Sequence, residues 1–447
     1  MNENLEEQIK KLKEVKMVRQ ALISYVGING ISRAKLVPID FLEDAFNGGA
    51  TFTGYAIGDL GFRHEDPDFS AIPDLESLTI LPWKTDTIWF ASDVYVNGKP
   101  WPIAPRNIAK NYLNKIKENY GYKMELGIEL EFFLVKRNGS IIAPADSNDL
   151  LDRPCYDAQT LLRNSNLIEK LLYYFNNILG WKAYAVDHED ANGQYEIDTE
   201  HTEALKQADR HVFSRFMIRS VAEQHGLLAT FMPKPFNNLT GNGAHFNLSL
   251  WKNSENLFYD PNDDLGFSQF GRYFVGGIIY HANALIAIVM PTVNSYKRLH
   301  AISTRSGATW VSTYAAYAIN NKTAMIRIPY TNKDKNSTRI EFRSPDGLVN
   351  SYLAIVAIMA AGLDGVKKKI EPGEPILNGL EDLSNREIRR LPDNLGEALE
   401  YLQNDSEIVN ALGKQLIDTY IDIKMKEWKE FIYQVTEWDY QKYLNWA

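Results

Sequence analysis

A chain of 447 residues exceeds one ordinary hydrophobic core, so two domains, one of them large, are expected. Hydrophobic residues make up 45% and charged residues 23%, with no low-complexity run and no clear internal repeat, which excludes a disordered or solenoid chain. The net charge of -9, with basic residues scattered along the chain, argues against nucleic acid or an anionic membrane as partner, although single arginines can still bind small anions.

Cys155 is the only cysteine, so an intrachain disulfide and a cysteine zinc site are ruled out and a reducing compartment fits best. Residues Met1 to Lys16 lack the apolar core of a signal peptide, and the apolar runs Ala282 to Met290 and Leu353 to Leu363 are too short to span a bilayer. A cytoplasmic protein without a membrane partner is expected.

Leu5, Ile9 and Leu12 recur at helical spacing and predict an opening amphipathic helix. Ala21 to Ile28 and Ile31 to Val37 read as strands around the hairpin signal Asn29-Gly30, and Pro38 to Phe46 as a helix stopped by Gly48-Gly49. Ser77 to Leu81 and Thr87 to Val96 are further strands, the second ended by Asn97-Gly98. Pro100, Pro102 and Pro105 mark a boundary, which divides the chain into residues 1–104 and 105–447. A helix from Asn107 to about Asn119 follows, closed by Gly121. Leu150 to Leu179 is largely helical in pattern, Trp181 to Glu189 and Gln194 to Thr199 form a hairpin, and Thr202 to His225 is a long helix leading to the strand Leu228 to Met232. A glycine-flexible turn then feeds a strand through Ala244 to Ser249. A helix from about Phe267 to Val289, short strands at Met325 to Pro329 and Arg339 to Arg343, and mostly helix from Leu348 complete the chain.

The chemistry concentrates in strands with one apolar and one functional face. In Gly127-Ile128-Glu129-Leu130-Glu131-Phe132-Phe133, alternation sends Glu125, Glu129 and Glu131 one way and Met124, Leu126, Ile128, Leu130 and Phe132 the other. Acids at i and i+2 stand about 6–7 Å apart, a distance that serves two neighbouring divalent cations, although an isolated pair of this kind is more simply a solvated face. The hairpin brings Glu189 near Glu196 and puts Gln194 on the face of Glu196, while His245, Asn247 and Ser249 share another strand face. Glu129, Glu131, Glu189, Glu196, Glu341 and His245 form a hard-ligand set suited to Mg²⁺ or Mn²⁺. Arg298, Arg327, Arg339 and Arg343 have the fork geometry that grips phosphate or carboxylate. Clustered acids and arginines without a P-loop or a dinucleotide-binding turn point to metal–nucleotide chemistry. His188 or His245 alone reads as a satisfied histidine, and Lys234 in Met232-Pro233-Lys234-Pro235 as an exposed loop charge.

These segments, with His188-Glu189, Gly193 to Ile197, Ala229 to Pro235, Gly241 to His245, Asn294 to Leu299, Ile326 to Pro329 and Arg339 to Asp346, resemble the glutamine synthetases of the bacterial and archaeal dodecameric type from about residue 18 onward. The resemblance implies an α+β fold: an N-terminal β-grasp domain and a catalytic domain with a curved antiparallel sheet surrounded by helices. It also implies a dodecamer of two hexameric rings with active sites between subunits. By position it makes Glu131, Glu189 and Glu196 ligands of a metal at the glutamate end, and Glu129, His245 and Glu341 ligands of a metal on the ATP phosphates. Arg298, Arg343 and Gly241 would hold glutamate, Arg327 a phosphate, and Asn247, Ser249 and Arg339 the nucleotide. The implied reaction is ATP-dependent phosphorylation of the glutamate γ-carboxylate and displacement of phosphate by ammonia or an amine.

The chain departs from the family pattern at one end of the site. The usual D-G-S-S reads Thr53-Gly54-Tyr55-Ala56, and P-G-Y-E-A-P gives way to His300-Ala301-Ile302-Ser303-Thr304-Arg305-Ser306-Gly307 in a longer loop. No Asp or Glu occurs from Leu265 to Lys333. The family's N-R-S-A becomes Asn321-Lys322-Thr323-Ala324, so Lys322 supplies a point charge where a fork is usual. Ammonium needs anions to bind it and a base to free its lone pair. Their loss predicts a γ-glutamyl-amine ligase, with Tyr55 and Trp310 as candidate wall residues. The competing readings are an authentic glutamine synthetase whose base is Asp59, Glu65 or a group of another subunit, and a regulatory paralogue.

Overall fold

Two sheets, covered by helices, carry the architecture of the computed structural model, which describes residues 7, 9–12, 17–139, 141–301, 303–377 and 388–446. Of the opening helix, residues 9–12 are helical and Ile9 is buried, while Leu5 lies outside the described residues.

The first sheet has seven strands. Gln20–Val26 runs parallel to Thr87–Val96 at its centre, with Ser32–Pro38 antiparallel on one side and Phe69–Pro73 then Thr51–Phe52 on the other. The Asn29-Gly30 signal forms the expected hairpin, with Val26 opposite Ser32 and Gly30 at φ 74°, a conformation glycine adopts without a steric penalty. The segment after Pro38 is three short helical turns, Ile39–Phe41, Leu42–Asp44 and Ala45–Gly49, rather than one helix.

The second sheet has eleven strands and carries the chemistry. Its main path runs Ala183–His188, Gln194–Thr199, Lys123–Asn138, Ala244–Lys252, Ile340–Phe342, Ile326–Ile328, Tyr317–Ile319, antiparallel except for the last pair. Lys123–Asn138 is the long central strand. Its apolar face, Met124, Leu126, Ile128, Leu130 and Phe132, is at most 4% exposed and rests on helix Ala204–Gln224, so the alternation that sends these side chains into the core sends Glu125, Glu129 and Glu131 to the opposite face. The predicted helix between residues 150 and 179 is shorter than expected: Ala158–Arg163, Ser165–Tyr173 and the turn Tyr174–Ile178.

Helix Ser351–Lys368 is buried along most of its length and packs on Gln269–Tyr280 through glycines. A Cβ on Gly277 would come within 2.1 Å of the Ala361 carbonyl oxygen, and one on Gly365 within 2.2 Å of that of Tyr273. The expected helix across residues 267–289 is two, Gln269–Tyr280 and Ala282–Val289, bent by 77° at His281. No single described helix is long and apolar enough to cross a membrane.

The bend is pinned by charge. His281 is 5% exposed, with Nδ1 2.6 Å from Asp405 and Nε2 3.1 Å from Asp364. Burial opposes charging the ring, but the two carboxylates outweigh it and raise the His281 pKa. A raised folded-state value stabilises below the unfolded value, about 6.5, and that contribution disappears as pH rises through the folded value. His281→Gln should therefore melt below the wild type at pH 6, with the gap closing at alkaline pH; a gap independent of pH would contradict a charged His281.

Candidate active site

Cross-strand register assembles the acids that lie far apart in sequence. Glu196 stands opposite Glu131, Glu129 opposite His245, and Glu341 opposite both Asn247 and Arg327. The ligand atoms of Glu131, Glu189 and Glu196 lie within 4.8 Å of one another, as do those of Glu129, Glu196 and His245. Glu341 is on the same face, 3.9 Å from His245 Nδ1, but its two oxygens accept from Arg327 and Arg343. Those arginines hold it below the usual carboxylate range although burial works the other way.

Each acid is oriented by a neighbour. Gln194 Nε2 donates to Glu131 at 3.0 Å and to the Gly241 carbonyl at 3.2 Å, and the Gly243 N–H donates to Glu131 at 2.6 Å. Asn247 donates to Glu129 at 2.8 Å and accepts from Arg339 at 2.9 Å. Glu189 accepts the Asp190 N–H at 2.7 Å. The turn bearing it is shaped by Asp149, which accepts from Asn192 at 2.8 Å and from the Gly193 N–H at 2.6 Å, and lies 2.9 Å from His188 Nε2. His188, wholly buried between Asp149 and the Glu189 carbonyl, is the satisfied histidine that the sequence suggested.

The electrostatics are those of a site that wants a cation. Burial, then the charge of Glu131, pushes Glu189 up to about 8; burial, then Glu129 and Glu131, holds Glu196 well above the carboxylate range. Burial and the Arg343 charge bring His245 down to about 3, so its imidazole is neutral and free to ligate. Hard oxygen donors with one neutral imidazole fit a divalent cation, and crowded acids that resist ionisation together are what such an ion would relieve.

The residues that the sequence suggested for anions and nucleotide lie near this cluster. Arg298, 3% exposed, donates to the Ser344 carbonyl at 3.0 Å and packs so close to Gly241 that a Cβ there would sit 3.1 Å from its Cγ and 2.1 Å from the Pro233 carbonyl oxygen. Asn247, Ser249 and Arg339 line a cavity of about 360 Å³ together with Glu129 and Asp198. Lys322 is exposed at the rim, where its charge partly offsets the burial that raises Asp187. Trp310 is 39% exposed, with its carbonyl 3.5 Å from Arg343 Nη2. Thr53 and Tyr55 sit on an exposed loop of the first sheet, where Tyr55 packs on His64, and within one chain neither joins the acidic cluster.

Sequence reasoning missed or misread four residues. Asp187 and Asp198 join Glu196 in a further acidic triad, and burial, then Glu129 and Asp187, raises Asp198 to about 7. Two-residue alternation from Glu189 and Glu196 would have found both. Lys234 is not an exposed loop charge: it is 6% exposed, its ammonium donates to the Leu239 carbonyl, and burial, then the nearby Arg298, lowers it to about 8. Asp59 is 2% exposed, and a Cβ on Gly27 would lie 2.2 Å from its Oδ2, so this carboxylate is buried against the backbone of its own sheet.

The family model described as glutamine synthetase, catalytic domain, matches residues 102–443. A glutamine synthetase of Rhizobium meliloti is 42% identical over 435 residues, 96% of this chain and 97% of that one. A glutamate–methylamine ligase of Methyloversatilis universalis is 37% identical over 436 residues, 96% of each chain. A solved GmaS/ADP complex superimposes with a TM-score of 0.91 at 42% identity, covering 98% of this chain and 99% of the other. Likeness of this length and depth leaves one assignment: the chain belongs to the glutamine synthetase family, has its mixed α/β fold with a curled sheet, and is a carbon–nitrogen ligase.

Proposed function

We propose that this ligase joins glutamate to an organic amine: the γ-carboxylate is phosphorylated by ATP and the amine displaces the phosphate. One observation carries the reading. Glu129, Glu131, Glu189, Glu196 and His245 gather on one sheet face with Arg298, on helix Val293–Leu299, close to Glu131, while Thr53 and the segment after Leu299 offer no acid to bind and deprotonate ammonium. The likeness to a glutamate–methylamine ligase and to GmaS supports it. The burial of Asp59 counts against one candidate base of the ammonia-using alternative and leaves Glu65, which is exposed, and a group of another subunit.

In this reading Glu131, Glu189 and Glu196 hold one divalent ion, Mg²⁺ or Mn²⁺, and Glu129 and His245, with Glu341, hold a second. When bound, these ions neutralise charge on the transferring phosphoryl group. Arg298 and Arg343, beside the Gly241 backbone, grip the glutamate carboxylates, and Arg327 and Lys322 face the phosphate. Asn247, Ser249 and Arg339 bind the nucleotide in their cavity. Residues 1–104 and 105–447 are taken as the two domains, and the assembly as a cytoplasmic homo-oligomer, a dodecamer with sites between subunits. Exposed apolar side chains in and just after helix Glu437–Tyr443, with Trp438 at 60%, Leu444 at 70% and Trp446 at 75% and the rings of Trp438 and Trp446 both packed on Tyr443, support association, because a monomer rarely exposes such a patch.

The test is ADP release from purified protein with ATP, glutamate and Mg²⁺ or Mn²⁺, first with ammonium and then with methylamine and longer amines. An amine is expected to give the highest kcat/KM. Ammonium turnover at low KM with no gain from any amine would overturn the proposal in favour of glutamine synthesis, and no turnover with any nucleophile would favour a regulatory paralogue.

A further inference from the structure

The segment that replaces the family's glutamate-bearing loop is tied down by one buried carboxylate. Asp190, 7% exposed, accepts hydrogen bonds at Oδ2 from the hydroxyls of Thr240 and Ser306, themselves 7% and 8% exposed. Its own N–H donates to Glu189. Thr240 precedes Gly241, whose backbone lies against Arg298. Asp190 thus touches three walls of the site: the acid Glu189, the strand entry at Gly241 and the segment 303–308. Arg305 reinforces the third contact, donating to Asn192 at 3.3 Å, Asp152 at 2.8 Å and the Leu150 carbonyl at 2.7 Å, while its N–H donates to the Asn238 carbonyl at 2.8 Å. Arg153 donates to the Ser306 carbonyl at 3.2 Å.

We propose that Asp190 is a positioning residue that locks segment 303–308 over the nucleophile end, so that the acyl phosphate meets the amine and not water. This rests on the glutamate-activating reading above. In the productive step the neutral amine nitrogen forms a bond to the γ-carbonyl carbon, the carbon–oxygen bond to phosphate breaks, and the nitrogen's proton passes to the departing phosphate. In the competing step water oxygen forms that bond, and glutamate and phosphate are released with a proton passing to solvent. A hydrogen-bonded cover without an acid of its own suits an enzyme whose nucleophile is larger than ammonia. Such a cover has to exclude water by fit, since no acid in it can bind a cation.

The experiment compares the wild type with Asp190→Ala and Ser306→Ala, the second of which leaves the Asp190–Glu189 contact in place. Phosphate release is followed with ATP, glutamate and Mg²⁺, without nucleophile and then with methylamine or ammonium, alongside amide formation. Both variants should raise glutamate-dependent phosphate release without nucleophile about tenfold relative to amide formation, the scale of a lost charge-assisted hydrogen bond. They should also raise the KM for the nucleophile and leave the KM for ATP unchanged. Variants that are folded and release phosphate in the wild-type proportion to amide would overturn the proposal. A wild type that releases no phosphate with glutamate and any nucleophile would sink the activity beneath it, and the proposal with it.

Discussion

Glu131→Gln should lower kcat by roughly three orders of magnitude while leaving the protein folded. A metal ion that neutralises a transferring phosphoryl group supplies several kcal/mol of transition-state stabilisation, and each ~1.4 kcal/mol is tenfold in rate. Glu131 belongs to the triad with Glu189 and Glu196, lies 3.6 Å from His245 Nε2, and its charge helps to raise both Glu189 and Glu196. Taking one negative charge out of that crowd relieves repulsion, so the metal-free variant should melt at or above the wild type. A loss of activity together with an unchanged or raised melting temperature is the signature of a site built for function at a cost in stability. Retained activity would refute the ligand assignment.

The same electrostatics fix how metal and pH interact. The folded-state value of Glu189, about 8, lies above its unfolded value, so the folded state holds the extra proton and the metal-free protein loses stability as pH rises through that range. A divalent ion must displace that proton. The rise in melting temperature produced by Mg²⁺ or Mn²⁺ should therefore grow from pH 6 to pH 9 in the wild type and be largely lost in Glu131→Gln.

Much of this was legible in the sequence because strand alternation is a strict code. Once Glu129 and Glu131 were placed on one face, the apolar residues between them had to form the core, and the sheet shows both. The hairpin at Asn29-Gly30 and the helix end at Gly121, φ 72°, were legible for a similar reason, since a left-handed turn asks for glycine or asparagine. What could not be read is whatever depends on three-dimensional neighbours. Lys234 is flanked by prolines and looks like a loop residue, yet the chain folds over it through Leu239 and Asn294. Asp59 looked like a substitute base until the close approach of Gly27 enclosed it. Asp190 carries no local signal at all, because its partners Thr240 and Ser306 are 50 and 116 residues away.

Arg106 is the second residue whose loss should be severe, here in stability. It stands in the first turn of helix Pro105–Tyr120, is 4% exposed, and gathers three carboxylates. Nε and Nη2 donate to Asp209 on helix Ala204–Gln224, both at 2.9 Å, Nη1 to Asp93 on the first sheet at 2.5 Å, and Nη2 to Asp74 at 2.9 Å. Lys110 adds bonds to Asp74 and Asp93 at 2.8 Å, and Tyr352 donates to Asp209 at 2.6 Å. The cluster joins the first sheet to the helix on which the second sheet rests. Arg106→Met keeps the volume of the stem but leaves Asp209 with Tyr352 and Asp74 and Asp93 with Lys110 as the remaining donors of the cluster, and breaking a buried network in this way costs about 3–5 kcal/mol. Urea unfolding should show a loss of that size, and a loss under about 1 kcal/mol would mean that water reaches the acids. Burial tends to raise Asp74, but Arg106 and Lys110 prevail and hold it below its ordinary value. A depressed carboxyl stabilises above its unfolded value and ceases to as pH falls through the folded one, so the advantage of the wild type over Arg106→Met should be full at pH 7 and shrink only at strongly acidic pH.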